Sequence, residues 1–264
     1  MCFDVNATPP APPRAVPVAA TVNTEVTSAD GTRFTATLAL PETSAGVGVG
    51  VLPDVRGLHP YYVALTEALA TAGLPALALD YFGRTAGTGV RDGDFEFAPH
   101  VQQVQPGQLD IDVSAAIAVL RERAGDHDLP VVTLGFCFGG GHSWRLAGRT
   151  GVDRPDLAGV IGFYGRPETA EATAGTAQGP VLMLVAGADA HIPPQASAEL
   201  AEQMSAAGAA VSRVVFDGAP HSFFDRTAGD HSAACEQAWR EILAFTDSVA
   251  ARPGASARDL DSPA

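Results

Sequence analysis

The feature that most narrows the fold is an alternation, from residue 46 to residue 249, of short β-branched apolar runs with longer amphipathic stretches. The short runs fall at 46–52, 74–79, 131–134, 158–163, 181–186 and 211–216, and helical periodicity at 61–72, 109–123, 139–147, 195–207 and 232–249. Runs that are apolar at successive positions suit strands buried on both faces, and the intervening helices supply the crossovers of a parallel sheet. The expectation is an α/β fold, a mostly parallel sheet with helices on both faces. Ahead of it, 21–27 and 32–40 flank Asp30-Gly31 and read as an N-terminal antiparallel hairpin. Gly73 follows the first helical stretch as a stop signal, and 80–106 reads as one long loop. A single domain over 21–250 is expected, with a Pro-rich arm at 1–20 and a flexible tail at 251–264. Folds of this class place their sites at the carboxyl ends of the strands.

Composition excludes several functions. The 264 residues carry a net charge of −14, which disfavours both a phosphate backbone and an anionic membrane surface. No apolar run approaches the length of a membrane span, and MCFDVNATPP lacks the cationic and apolar regions of a signal peptide. Cys2, Cys137 and Cys235 are odd in number and far apart, so a reduced, cytoplasmic protein is expected. No nucleic acid, membrane or cofactor is expected as a partner, and the assembly is expected to be a monomer or homodimer.

The run Val131-Val132-Thr133-Leu134-Gly135-Phe136-Cys137-Phe138-Gly139-Gly140 carries the chemistry. A strand enters G-x-C-x-G-G and a helix leaves it, the pattern of a nucleophile elbow, where flanking glycines permit a turn too sharp for side chains. Composition alone would give G-x-C-x-G roughly 0.03 times in this chain. The turn holds the sulfur at a helix N-terminus, which favours the thiolate. The bland alternative is a small buried cysteine beside tight-turn glycines.

A cysteine nucleophile needs a base, and the base an orienting group. Asp189 follows the 181–186 run, and His221 follows the 211–216 run in Gly218-Ala219-Pro220-His221-Ser222-Phe223. Both are placed in loops at the carboxyl edge, in the order nucleophile, acid, histidine. His191 is an alternative base, or half of a two-ligand metal pair with Asp189, which without a third ligand is weak. No metal is expected.

At these residues the chain resembles the dienelactone hydrolase family of α/β-hydrolases, over about residues 22–249. Gly135 to Gly140 match the family's cysteine elbow, Asp189 its aspartate, and His221-Ser222-Phe223 its H-[SG]-F sequence. The resemblance implies an α/β-hydrolase fold and cleavage of a small ester or lactone. It implies that Asp54, in Asp54-Val55-Arg56-Gly57, takes the role of the family's thiol-controlling acid, although that acid is typically a glutamate. Asp80-Tyr81-Phe82-Gly83-Arg84 is similar to the family's D-L-Y-x-R motif, and Gly162-Phe163-Tyr164-Gly165 to its Y-Y-G stretch. A substrate-binding arginine of the family lies four residues past the histidine; here that position is Asp225, and Arg226 follows.

The expected mechanism has His221, oriented by Asp189, deprotonating Cys137 for attack on an ester carbonyl. The backbone N–H groups of Val55 and Phe138 would hold the oxyanion. Arg84, Tyr164 and Arg226 are the candidate substrate-binding residues. Arg84 has an alternative as a loop ion pair with Asp80 or Asp92, Tyr164 one as strand-end packing, and Trp144 reads as core. The rival functions are a general carboxylesterase or thioesterase on the same triad, and a non-catalytic binding protein of the same fold. A glutamine-amidotransferase site is disfavoured, because it would place glutamate two residues after the histidine, where this chain has Phe223.

Overall fold

The computed structural model of the chain describes residues 7–89, 91–148 and 154–251. The expectations for Cys2 and for the tail from residue 252 onward lie outside the described residues. Eight strands form one sheet: β1 Val18–Thr27, β2 Arg33–Pro41, β3 Gly48–Leu52, β4 Ala76–Leu79, β5 Val131–Phe136, β6 Gly159–Phe163, β7 Pro180–Ala186 and β8 Ala210–Phe216. Their order is β1-β2-β4-β3-β5-β6-β7-β8. Only the β1–β2 and β2–β4 pairs are antiparallel; all others run parallel. The hairpin closes at Thr27 opposite Arg33, where the Asp30 carboxylate accepts the Thr32 N–H.

The long helices are α1 Pro60–Thr71, α4 Pro106–Ala124, α7 Pro194–Ala206 and α8 Ser232–Ala250, and the shorter α5 Phe138–Arg145 leaves the cysteine turn. Three four-residue helices, α2 Gly83–Ala86, α3 Ala98–Val101 and α6 Glu171–Ala174, lie in the connections. The β5 and β7 runs, featureless in sequence, sort by period two into separate cores. Val132, Leu134 and Phe136 of β5 and Leu182 and Leu184 of β7 pack with Tyr62 and Leu65 of α1 and Trp239 and Ile242 of α8. Val131, Val181 and Met183 point the other way, towards Val113 and Ile117 of α4, Trp144 of α5 and Leu200 and Met204 of α7. Each such fully buried large side chain contributes about 1.5–3 kcal/mol, so these two layers are the main stabilising term.

Local chemistry sets the helix limits. His59, buried and followed by Pro60, caps α1: its Nδ1 accepts the Tyr61 N–H at 3.2 Å. Past the other end, Gly73 takes φ +88° and Leu74 N–H returns to the Leu69 carbonyl, closing the helix as the sequence indicated. Within 7–17, the Pro10 carbonyl accepts the Trp239 indole N–H, and the Arg14 Nε donates to the Ala72 carbonyl. This part of the arm therefore lies against α1 and α8. No helix among the described residues is long and apolar enough to cross a membrane.

Candidate active site

Parallel neighbours β3, β5 and β6 end in register, with Leu52 opposite Gly135 and Gly135 opposite Gly162, so the loops leaving them share one edge. Cys137 sits there between β5 and α5 at φ 52° and ψ −107°, half-buried, its N–H donating to the Phe163 carbonyl at 3.0 Å. A Cβ on Gly135 would lie 2.0 Å from the Gly139 oxygen, and one on Gly139 would lie 2.1 Å from the Leu52 oxygen. The elbow thus needs glycine because α5 starts against the backbone of β3 and β5.

The acid and the histidine meet across the ends of β7 and β8. His221 Nδ1 lies 2.6 Å from Asp189 Oδ2. The other carboxylate oxygen, Oδ1, accepts the N–H groups of His191 and Ile192 at 2.9 and 3.1 Å. Burial alone would raise the Asp189 carboxyl, but the His221 hydrogen bond and these N–H groups outweigh it and hold it below the usual carboxylate range. A carboxylate only accepts, so His221 Nδ1 carries the proton and Nε2 is left as the basic nitrogen. His191 supplies a main-chain N–H and its side chain is exposed.

Tyr164 joins the two halves. It follows Phe163, the partner of the Cys137 N–H, and its ring centroid lies 4.8 Å from that of His221. It is buried, and its ring also contacts Phe136 and Phe163. Among the described residues, the non-glycine residues with φ in the left-handed region are Cys137, Tyr164 (34°) and Ser222 (62°). Backbone strain of this kind costs about 1–3 kcal/mol per residue and persists where the surroundings impose it. All three instances fall where the Cys137 turn and the His221 loop converge.

Asp54, two residues past the end of β3, is held by Arg56. The guanidinium Nε lies 3.0 and 3.1 Å from its two oxygens, Nη2 lies 2.8 Å from Oδ2, and the Arg56 N–H donates to Oδ1 at 2.9 Å. The same Nη2 donates to Asp225 Oδ2, in the loop after His221. Burial opposes the Arg56 charge, but Asp54 and Asp225 outweigh it and keep the guanidinium cationic. Sequence reasoning missed Arg56. Its signal was a cation two residues after a candidate acid at a strand end.

Arg84 is engaged by the β1–β2 turn and by α4. It donates to Asp112 at 2.7 and 3.1 Å, to Thr32 Oγ1 at 2.7 Å and to Asp30 in the hairpin turn. The partners expected for its ion-pair alternative were Asp80 and Asp92; instead Asp80 is buried against Arg91, 2.9 Å away. Two short helices, α2 and α3, interrupt the stretch expected to be one loop, and they position this network. Arg226 is exposed, one residue past Asp225. Trp144 is core, its indole N–H reaching the Leu182 carbonyl at 3.3 Å. Among the described residues no cluster of three or more His, Cys, Asp or Glu could hold a metal.

Residues 34–249 match the model of the dienelactone hydrolase family. Two relatives, both named "putative carboxymethylenebutenolidase", come from Saccharolobus solfataricus (27% identical, over 82% of this chain and 94% of that one) and Methylorubrum extorquens (25%, over 73% and 68%). The solved dienelactone hydrolase of Anabaena variabilis superposes with a TM-score of 0.66 at 19% identity, covering 85% of this chain and 97% of its own. With the α/β-hydrolase strand order and the cysteine elbow in place, the chain belongs to the dienelactone hydrolase family and is a carboxylic ester hydrolase.

Proposed function

We propose that the protein cleaves a small ester or lactone through an acyl-enzyme on Cys137. The observation that carries this is the elbow cysteine at the start of α5, joined through Phe163 and Tyr164 to a His221 already bonded to Asp189. His221 Nε2 takes the Cys137 proton. The Sγ anion then adds to the substrate carbonyl carbon, and the developing oxyanion is received by the N–H groups of Phe138, at the helix N-terminus, and Val55. The tetrahedral adduct collapses with loss of the alkoxide, which leaves with the proton from His221. Water, deprotonated by His221, hydrolyses the thioester and returns Cys137 to the thiol. A reduced, cytoplasmic setting would keep Cys137 as the free thiol this chemistry uses.

The names of the two relatives favour a lactone bearing a carboxylate. A second reading, an uncharged ester or thioester, is favoured by two observations: Asp225 stands at the family's arginine position, and Arg84 is paired with Asp30 and Asp112. Turnover of carboxylated and neutral p-nitrophenyl esters side by side separates the two. The mechanism itself is tested by Cys137→Ala, expected to abolish hydrolysis with the fold intact, and by a mass increase of one acyl group on Cys137 in quenched wild-type enzyme. Hydrolysis by Cys137→Ala would overturn it.

A further inference from the structure

We infer that Arg56 is a positioning residue of the hydrolytic site, locking the loop that offers the Val55 N–H to the loop that carries His221. The inference rests on the cysteine-hydrolase reading above. Two loops far apart in sequence must hold a donor and a base at fixed places around one sulfur, and neither is a regular element. Asp54, Val55 and Arg56 leave β3 in a turn wrapped on itself: the Arg56 N–H binds the Asp54 side chain, and the Gly57 N–H binds the Asp54 carbonyl at 3.1 Å. The histidine loop is wound as tightly, with Phe223 N–H on the Pro220 carbonyl and Asp225 N–H on the Ser222 carbonyl at 3.0 Å.

One guanidinium joins these two turns. It grips Asp54 through Nε and Nη2, and extends Nη2 to Asp225, 169 residues further along the chain. All three side chains are less than a tenth exposed. The cation lies 5.5 and 5.6 Å from the ring centroids of Tyr61 and Tyr62, and the Tyr61 hydroxyl donates to the Phe224 carbonyl at 2.6 Å, a second tie between the same regions. A planar fork with donors on two edges can serve two carboxylates at once, and an ammonium cannot reproduce that geometry. The arrangement also assigns Asp54 a task other than the one implied by the family: its carboxylate is directed at Arg56. Asp225 completes the bridge at the position where relatives place a substrate-binding cation.

Loss of the bridge frees the loops to shift against each other, and a displacement of about 1 Å around a reacting centre costs roughly 100-fold in rate. The test uses the full chain with p-nitrophenyl acetate, each rate divided by the concentration of folded enzyme read from near-ultraviolet circular dichroism. Arg56→Gln should lower kcat roughly 100-fold with KM within about threefold of wild type. Arg56→Lys, which restores the charge alone, should recover less than about a tenth of the loss. Asp225→Ala should lower kcat at least about tenfold, while Asp225→Asn, which keeps an acceptor for Nη2, should stay within about fivefold of wild type. A purely structural role would lower the melting temperature and leave kcat per folded enzyme unchanged. The inference is overturned if Arg56→Gln keeps kcat within threefold, or if its loss lies wholly in KM. Should Arg56→Gln fail to fold, wild-type kcat in Asp225→Ala overturns it equally. Absence of wild-type turnover, or turnover by Cys137→Ala, defeats the hydrolase reading together with this inference, whereas the Arg56 and Asp225 results bear on the inference alone.

Discussion

Gly135→Ala is the sharpest probe of the elbow. The added Cβ would stand 2.0 Å from the Gly139 oxygen and 2.8 Å from the Gly140 nitrogen. Both atoms belong to the backbone of the first turn of α5, so no side-chain rotation relieves the clash. Return to ordinary van der Waals contact requires that turn to retreat by roughly 1.4 Å. It has little room, because Gly139 already abuts the carbonyls of Leu52 and Pro53, and Gly140 abuts that of Phe163. Cys137 lies between the two clashing segments and moves with them. Overpacking of this size costs about 1–3 kcal/mol, or a fall of roughly 2–12 °C in Tm for a domain of this length. The catalytic effect is larger: on the proposed mechanism, a displacement of about 1 Å or more at Cys137 should reduce kcat about 100-fold. The assay is steady-state hydrolysis of p-nitrophenyl acetate beside a thermal melt followed by far-ultraviolet circular dichroism. Gly107→Ala is the control, since a Cβ there, in the first turn of α4, meets nothing within 4 Å. It should leave kcat unchanged and raise stability by about 0.4–1 kcal/mol. A folded Gly135→Ala enzyme with kcat within threefold of wild type would refute the argument that close backbone approach dictates glycine here.

Other expectations follow from the same geometry. Asp189→Asn should reduce kcat by about 10³–10⁴ with the fold intact, because the amide no longer fixes the proton on His221 Nδ1; a loss below tenfold would remove Asp189 from the orienting role. The folded-state carboxyl of Asp189 lies below its ordinary value, so its contribution to stability is present above the unfolded pKa of about 3.9 and vanishes as pH falls through the lower folded value. Urea melts between pH 2 and 6 should therefore show a shallower acid loss in Asp189→Asn than in wild type, with no difference in slope near neutrality. Burial pushes the Cys235 thiol up to about 12, so iodoacetamide at pH 8 should modify Cys137 and spare Cys235 in peptide maps; comparable labelling of both would contradict the burial argument. Arg84→Ala leaves Asp112, 5% exposed, without its cation, and should destabilise by about 1–3 kcal/mol while the carboxylated-to-neutral ratio of kcat/KM stays constant. A selective loss on the carboxylated ester would instead place Arg84 in substrate binding.

How far the sequence reveals this molecule depends on the range of the interaction involved. Strand β7 is legible because an unbroken apolar run marks a strand buried on both faces, and helix α8 because a 3.6 period marks the face that meets the sheet. Helices α2 and α3 escape notice because four residues complete barely one turn, and their ends are set by contacts such as His100 on Thr85. At the site, glycine spacing marks the elbow, since that turn is closed by residues two apart on either side of Cys137. Asp189 and His221 could be paired from loop position alone, because β7 and β8 are adjacent and their carboxyl ends coincide. Arg84 reads ambiguously for the opposite reason: its partners, Asp30 in a hairpin and Asp112 in a helix, come from elements whose relative placement no local pattern encodes.

The same distinction explains why Arg56 is invisible until the fold is in hand, and why the site tolerates its strain. Positive φ at Cys137, Tyr164 and Ser222 is a cost that no residue in those turns can repay locally. What offsets it is long-range. Cys137 is pinned by the Phe163 carbonyl on β6, Tyr164 by an N–H bond to Leu184 on β7, and the turn containing Ser222 by Asp225 on Arg56 and by Phe224 on Tyr61. Each strained turn is thus anchored to a different strand or loop of the sheet edge, so relaxing one requires breaking a bond to its neighbour. A site assembled this way should lose activity before it loses its fold when any one anchor is removed.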